Sequence, residues 1–401
     1  MKRLLNLLLW SVIAAAFIGP GTVTTAARAG SDFGFALAWA LLFSTVACVV
    51  LQEAAGRITV LSGHELGTAI RHRYGAPDRV GWVAALLAAG VVLGCAAYQA
   101  GNLLGAVAGV RLVVDASPAL LAAVFGAGAA ALLATGSTRW IANVLGALVA
   151  VMGVAFLVTA VRLAPDAGAL LGGLLIPRIP AASTVLVLGL VGTTVVPYNL
   201  FLGSALARGS RLGEMRWGLA LAVGGGGLIS LGVLVVGTAL GGGLEYERLG
   251  AVLGARLGSG AEVSLAVGLF AAGFSSAITA PLAAAITVRT LVGGAERPEW
   301  SERGPRFRAV WLGVLLFGVG FGIAGVQPIP VIILAQAFNG LLLPLIAVFL
   351  WLTMNDRSLL GNGGVNTLVQ NLVMGAIVVT CVALGLRGLV AAAKGALAIL
   401  G

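Results

Sequence analysis

Two short clusters in this chain set proline among small or polar residues inside otherwise apolar stretches: Gly19-Pro20-Gly21-Thr22 and Val196-Pro197-Tyr198-Asn199. Proline removes a backbone donor and clashes with the preceding turn, so each cluster frees carbonyls and amides of a segment long enough to span a bilayer. The chemistry on offer is binding rather than bond making: backbone oxygens and N–H groups, the Thr22 and Tyr198 hydroxyls and the Asn199 amide, flanked by Val195 and Val196. No Asp, Glu, His, Lys or Arg lies deep in an apolar segment. The base or metal ligands of an intramembrane enzyme are therefore missing, and neither enzymatic activity nor a cofactor is expected. Cys48, Cys95 and Cys381 sit singly in apolar stretches without metal-site spacing, and His64 and His72 fall in a polar connection, so all five are read as structural or surface residues.

These clusters need elements that can hold them inside a membrane. Of the 401 residues, 60% are hydrophobic and 9% charged, and the mean hydropathy is +1.07, which describes an all-α polytopic membrane protein. The 60 glycines suit closely approaching membrane helices. The net charge of +10 comes from basic residues scattered between apolar segments, which argues for a bilayer and against a nucleic-acid partner. Apolar runs of about 18 residues or more give eleven candidate spans, near 8–28, 34–56, 81–109, 118–136, 140–162, 183–206, 217–241, 263–291, 308–325, 329–353 and 365–386. The first follows Lys2 and Arg3 like a signal peptide but runs on without a cleavage site, so it reads as a transmembrane helix. Lys and Arg favour the face bearing the connections 56–79 and 293–308 by roughly two to one, which places the amino terminus in the cytoplasm of a bacterial-type plasma membrane.

Spans 1–5 and 6–10 each contain an odd number of helices, so the second set enters from the opposite side and the two are inverted repeats. The expected organisation is one domain over 1–401, with a first repeat at 1–163, a second at 181–355 and an additional helix at 365–401. The two proline clusters occupy the same ordinal place, spans 1 and 6. That is the arrangement of a LeuT-type (APC superfamily) fold, with a binding site near the midplane where two broken helices meet. Gln336 and Asn339, three residues apart on span 10, share a face. Gln336 is a candidate site residue, while Asn339, Tyr98 and Gln99 are candidates for a pathway, with interhelical hydrogen bonding the alternative for the last two. Thr22 is read as facing the site, Asn199 as capping the second half of its helix, and Glu53 and Arg57 as an i, i+4 pair.

The stretch from Gly192 to Leu206, GTTVVPYNLFLGSAL, resembles the sixth helix of the NRAMP family of proton-coupled divalent-metal transporters, whose pattern there is close to GATVMPHNLFLHSAL. Ser62-Gly63-His64-Glu65-Leu66, Gly173-Leu174-Leu175-Ile176-Pro177, Ala272-Gly273-Phe274-Ser275-Ser276, and Ala335-Gln336 with Leu343-Pro344 resemble further stretches of that family. The resemblance covers most of the chain and implies a secondary transporter working by alternating access, its partners a small solute or ion and the lipid bilayer, and its state a monomer. It also implies metal ligands at an aspartate and an asparagine of DPGN and a methionine of MPH, where this chain has Gly19, Thr22 and Val196. The metal-binding set and the coupling ion are accordingly left unassigned. A divalent cation is the substrate class the resemblance implies. A small organic or anionic solute, hydrated magnesium, and a non-transporting receptor or scaffold stay open beside it.

Overall fold

The computed structural model describes residues 18–75, 80–135, 139–258, 260–293 and 297–400. The elements that build the bundle are α1 (Pro20–Phe33), α2 (Ala38–Ser62), α3 (Leu66–Tyr74), α4 (Trp82–Arg111), α5 (Pro118–Thr135), α6 (Arg139–Arg162), α7 (Ala167–Leu175) and α8 (Thr184–Thr194). They continue with α9 (Pro197–Leu206), α10 (Leu212–Thr238), α11 (Tyr246–Leu257), α12 (Gly260–Val288), α13 (Pro305–Ile323), α14 (Pro328–Thr353), α15 (Arg357–Gly364) and α16 (Leu368–Leu400). Among the described residues, ten helical segments are long and apolar enough to cross a membrane, and they coincide with the second to eleventh expected spans. Of the first span, residues 8–17 lie outside the described residues, and its remainder is α1.

Both proline clusters start helices. Gly19 is extended (φ −90°, ψ 175°) and Pro20 is the first residue of α1. α8 stops at Thr194, Val195 and Val196 are non-helical, and Pro197 begins α9. Proline suits a first helical position because the N–H it lacks has no intrahelical partner there. At the second cluster the expected break is realised in full, with α8 ending before it and α9 starting afresh on its far side; the residues that precede the first cluster lie outside the described ones.

Close backbone approach holds the bundle together. α4 packs along α12, α8 along α14 and α1 along α10 in the most extensive helix contacts. Each crossing carries a reciprocal glycine pair. A Cβ at Gly109 of α4 would lie 2.6 Å from the Phe270 nitrogen of α12, and one at Gly273 would lie 2.6 Å from the Asn102 oxygen of α4. Gly30 and Gly237 play the same part between α1 and α10, and Gly192 and Gly340 between α8 and α14. Small residues at such crossings give helices in lipid, which lack a hydrophobic drive toward one another, their van der Waals contact. Outward-facing Leu120, Val124, Leu316 and Leu372 are exposed on the rim, where hydrocarbon rather than water is their solvent. The chain is an integral membrane protein.

Candidate functional site

At the second break, Pro197 cannot supply the N–H that an unbroken helix would aim at the carbonyl of Thr193. The Thr193 hydroxyl meets the Thr22 hydroxyl at 3.1 Å, so the last turn of α8 touches the first turn of α1. That contact joins the two breaks directly. Gln336 of α14 lies over Gly21, where a Cβ would come within 2.5 Å of its Cδ. Above Gly19, the Tyr98 hydroxyl and the Ser276 Oγ stand 3.1 and 3.5 Å from the position a Cβ would occupy. The Tyr98 and Tyr198 rings meet edge to face, with centroids 5.6 Å apart, a favoured aromatic geometry. Thr22, Tyr98, Tyr198, Asn199 and Gln336 are all buried.

A buried polar atom costs free energy until it is satisfied. The Gln336 Oε1, both polar atoms of Asn199 and the Ser276 Oγ are buried without a hydrogen-bond partner among the described residues. Asn199 does not cap α9: the cap position is Val196 and no side chain accepts there. The site therefore offers neutral oxygen donors. Among the described residues, no group of three or more His, Cys, Asp or Glu is placed to hold a metal.

The remaining expected residues separate by direction. Pro20 packs against Gly105 of α4, and Val195 and Val196 are buried in the apolar core. Gln99 turns away from the break, its Nε2 donating to the Ala277 carbonyl at 3.0 Å, and a Cβ at Gly318 would lie 2.6 Å from its Cγ. Asn339 faces Gly94 of α4, and neither of its polar atoms has a partner among the described residues. Tyr98, one residue before Gln99, is the member of that pair which reaches the break. Two further residues stand at the breaks: Thr193, which the sequence reading does not single out, and Ser276, whose sequence reading is a packing residue. Thr193 had a legible signal, since it lies four residues before Pro197 and owns the carbonyl that the proline orphans.

Polar ties close the bundle on either side of the breaks. Thr24 donates to the Pro20 carbonyl at 2.6 Å and meets the Tyr246 hydroxyl at 2.7 Å, fastening α1 to α11. Toward the face with α3, the Ser204 Oγ accepts from the Leu66 N–H and meets the Thr59 hydroxyl, both at 2.7 Å. Gly203 leaves room there for the carboxamide of Gln52, whose Oε1 has no partner. Outside the bundle, the His64 and His72 rings lie 4.9 Å apart. Burial, followed by the nearby His64 and Arg71, lowers the His72 pKa.

Similarity to known proteins agrees with this architecture. The sequence is 29% identical over 382 residues to the divalent metal cation transporter MntH of Deinococcus radiodurans, covering 90% of this chain and 84% of that protein. A manganese transporter of Eremococcus coleocola superposes with a TM-score of 0.74 at 20% identity, covering 95% of this chain and 86% of that one. A nucleobase-cation-symport-1 family transporter superposes with a TM-score of 0.60 at 15% identity, covering 97% of this chain and 93% of the other. These two superpositions establish the LeuT-type fold with its broken helices. The Natural resistance-associated macrophage protein-like family matches residues 11–391, nearly the whole sequence, and the chain belongs to that family.

Proposed function

We propose that this protein is a secondary transporter that moves a hard divalent cation, magnesium above all, by alternating access, with part of its water shell retained at the two breaks. The observation that carries this reading is the donor set. Thr22, Thr193, Ser276, Asn199 and Gln336 bring neutral oxygens to the broken helices, while Gly19 and Val196 stand where the resemblance implies a carboxylate and a thioether. Manganese and iron held directly favour a carboxylate, imidazole or soft sulfur ligand, and an anionic ligand offsets the cost of desolvating a dication. Magnesium dehydrates reluctantly and keeps several waters, so hydroxyls and amides that hydrogen-bond those waters suit it. Relatives described as divalent metal cation transporters support the cation class. The bias of Lys and Arg supports a cytoplasmic start of the chain.

An organic or anionic solute is the competing reading. It is favoured by the starts of α1 and α9, which no side chain caps and which present positive dipole ends to a ligand. Uptake into proteoliposomes, measured in parallel for magnesium, manganese and a panel of amino and organic acids, separates the two. Magnesium uptake without micromolar manganese binding by calorimetry is the expected outcome. Micromolar manganese binding would overturn the assignment, and so would uptake confined to an organic solute.

A further inference from the structure

Away from the breaks, a cavity of about 400 Å³ lies between α2, α10 and the start of α16. Its polar end holds Glu53, Arg57 and Arg216. The Glu53 carboxylate is shared: Oε1 accepts from the Arg216 Nε and Nη2 at 2.9 and 2.8 Å, while Oε2 lies 3.4 Å from the Arg57 Nε. Arg57 is buried, and its other nitrogens are spent on neutral acceptors, Asn366 Oδ1 at 2.6 Å and Gln370 Oε1 at 3.2 Å. Its Nε makes no hydrogen bond. Among the described lining residues two guanidiniums thus face one carboxylate, leaving a net positive charge in a pocket whose remaining wall, apart from Asn366 and Gln370, is apolar. Val369 and Val373 belong to that wall and are 69% and 41% exposed on the rim, so the cavity opens toward the hydrocarbon.

An uncompensated charge at the edge of a bilayer is costly. The occupant that supplies both the missing negative charge and an apolar body is an amphiphile with an anionic head. We propose that this cavity is a binding site for an anionic phospholipid, its phosphodiester seated against Arg216 and Arg57 and its acyl chains lying along Val369 and Val373. The cavity runs from the middle of α2 along the half that leads to α3, and meets the start of α10. With the chain oriented by its positive charges, this is the cytoplasmic leaflet, where basic pockets between helices meet acidic headgroups. The lipid braces α16, which stands outside the paired repeats, against α2. Arg57 already ties α2 to this end of α16 through Asn366 and Gln370, and the phosphodiester balances the charge that Arg216 adds.

The test uses the purified full chain in neutral detergent, titrated separately with phosphatidylglycerol, phosphatidylcholine and inorganic phosphate, with binding read by native mass spectrometry and by thermal stability. Phosphatidylglycerol is expected to bind about five-fold more tightly than phosphatidylcholine, as one basic contact near a membrane surface implies. Arg216→Gln should abolish that preference, leaving the neutral Glu53–Arg57 pair. Equal binding of the two lipids by the parent protein would overturn the proposal, as would a preference that survives Arg216→Gln. Equal stabilisation by inorganic phosphate would overturn the choice of a lipid. Because Arg57→Gln risks unfolding the protein, Glu53→Gln is the second variant. It adds a net positive charge and should strengthen the preference, and a weakened preference there would also count against the site.

Discussion

Substituting alanine at two glycines on opposite flanks of Gln336 separates the packing of the broken helices from the chemistry between them. At Gly192 a new Cβ would stand 2.5 Å from the Gly340 nitrogen and closer still to the Gln336 carbonyl oxygen. Ordinary contact begins near 3.4 Å, so α8 and α14 would have to part by roughly an ångström, and neither partner is a side chain able to rotate. Overpacking of this kind costs about 1–3 kcal/mol, and backbone partners on both sides put Gly192→Ala at the upper end. At Gly21 the three atoms nearest the new Cβ all belong to the Gln336 side chain, among them Cδ at 2.5 Å and Cγ at 3.1 Å. Gln336 can leave its rotamer for about 0.5–1.5 kcal/mol, taking its carboxamide out of the site. Gly21→Ala should therefore melt near the parent temperature, yet lose cation affinity by about two- to ten-fold, the worth of one neutral hydrogen bond of 0.5–1.5 kcal/mol. Gly192→Ala should melt several degrees lower or fail to be recovered. Thermal melts in detergent and concentration-dependent uptake in proteoliposomes measure both quantities. Parental melting of Gly192→Ala would refute the packing argument, and parental uptake by Gly21→Ala would remove Gln336 from the site.

Two further outcomes follow from the same geometry. Thr22→Val and Thr193→Val should each weaken uptake, and because their hydroxyls touch, the double variant should lose less than the sum of the singles, with a coupling of about 0.5–1.5 kcal/mol in a double-mutant cycle; additive losses would mean that the two breaks are not linked there. Asp356 is held below the usual carboxylate range by the Ser358 hydroxyl and by Arg73, whose Nη1 lies 2.7 Å away. A depressed carboxylate pKa stabilises the fold above its ordinary value and loses that stability as pH falls through the lowered one, so the parent should show an acid-side drop in melting temperature below about pH 4. Asp356→Asn should flatten that limb and melt lower at neutral pH, and an unchanged acid limb would place its cause elsewhere.

How much of this could be read in advance depends on the kind of information involved. The ten spans and both breaks were legible because hydropathy over a bilayer thickness and the missing N–H of proline are properties of a short stretch of chain. Pro20 and Pro197 mark helix starts wherever the surrounding helices lie. The donors were only partly legible. Gln336 and Thr22 were named and stand at the breaks, whereas Asn199 was expected to cap a helix and instead lies buried with both polar atoms unpaired. For Tyr98 and Gln99, adjacent in sequence, the residue types leave a pathway lining and an interhelical hydrogen bond open alike. A residue step turns a helix by about 100°, and in the structure Tyr98 faces Gly19 while Gln99 bonds to Ala277 of α12.

The sequence by itself determined a membrane-spanning helical chain of this family, interrupted at Gly19-Pro20 and Val196-Pro197, with no charged side chain at either break. Only the tertiary structure decided which polar groups converge there. In helices that are apolar nearly all round, hydropathy leaves rotation about the axis free. Rotation is set instead by glycine contacts such as Gly192 against Gly340 and Gly109 against α12, which exist only once the helices are packed. The same holds for Glu53. In sequence it is the i, i+4 partner of Arg57, but in the folded bundle it is divided between Arg57 and Arg216, because α10 brings a second guanidinium to a carboxylate that can neutralise only one.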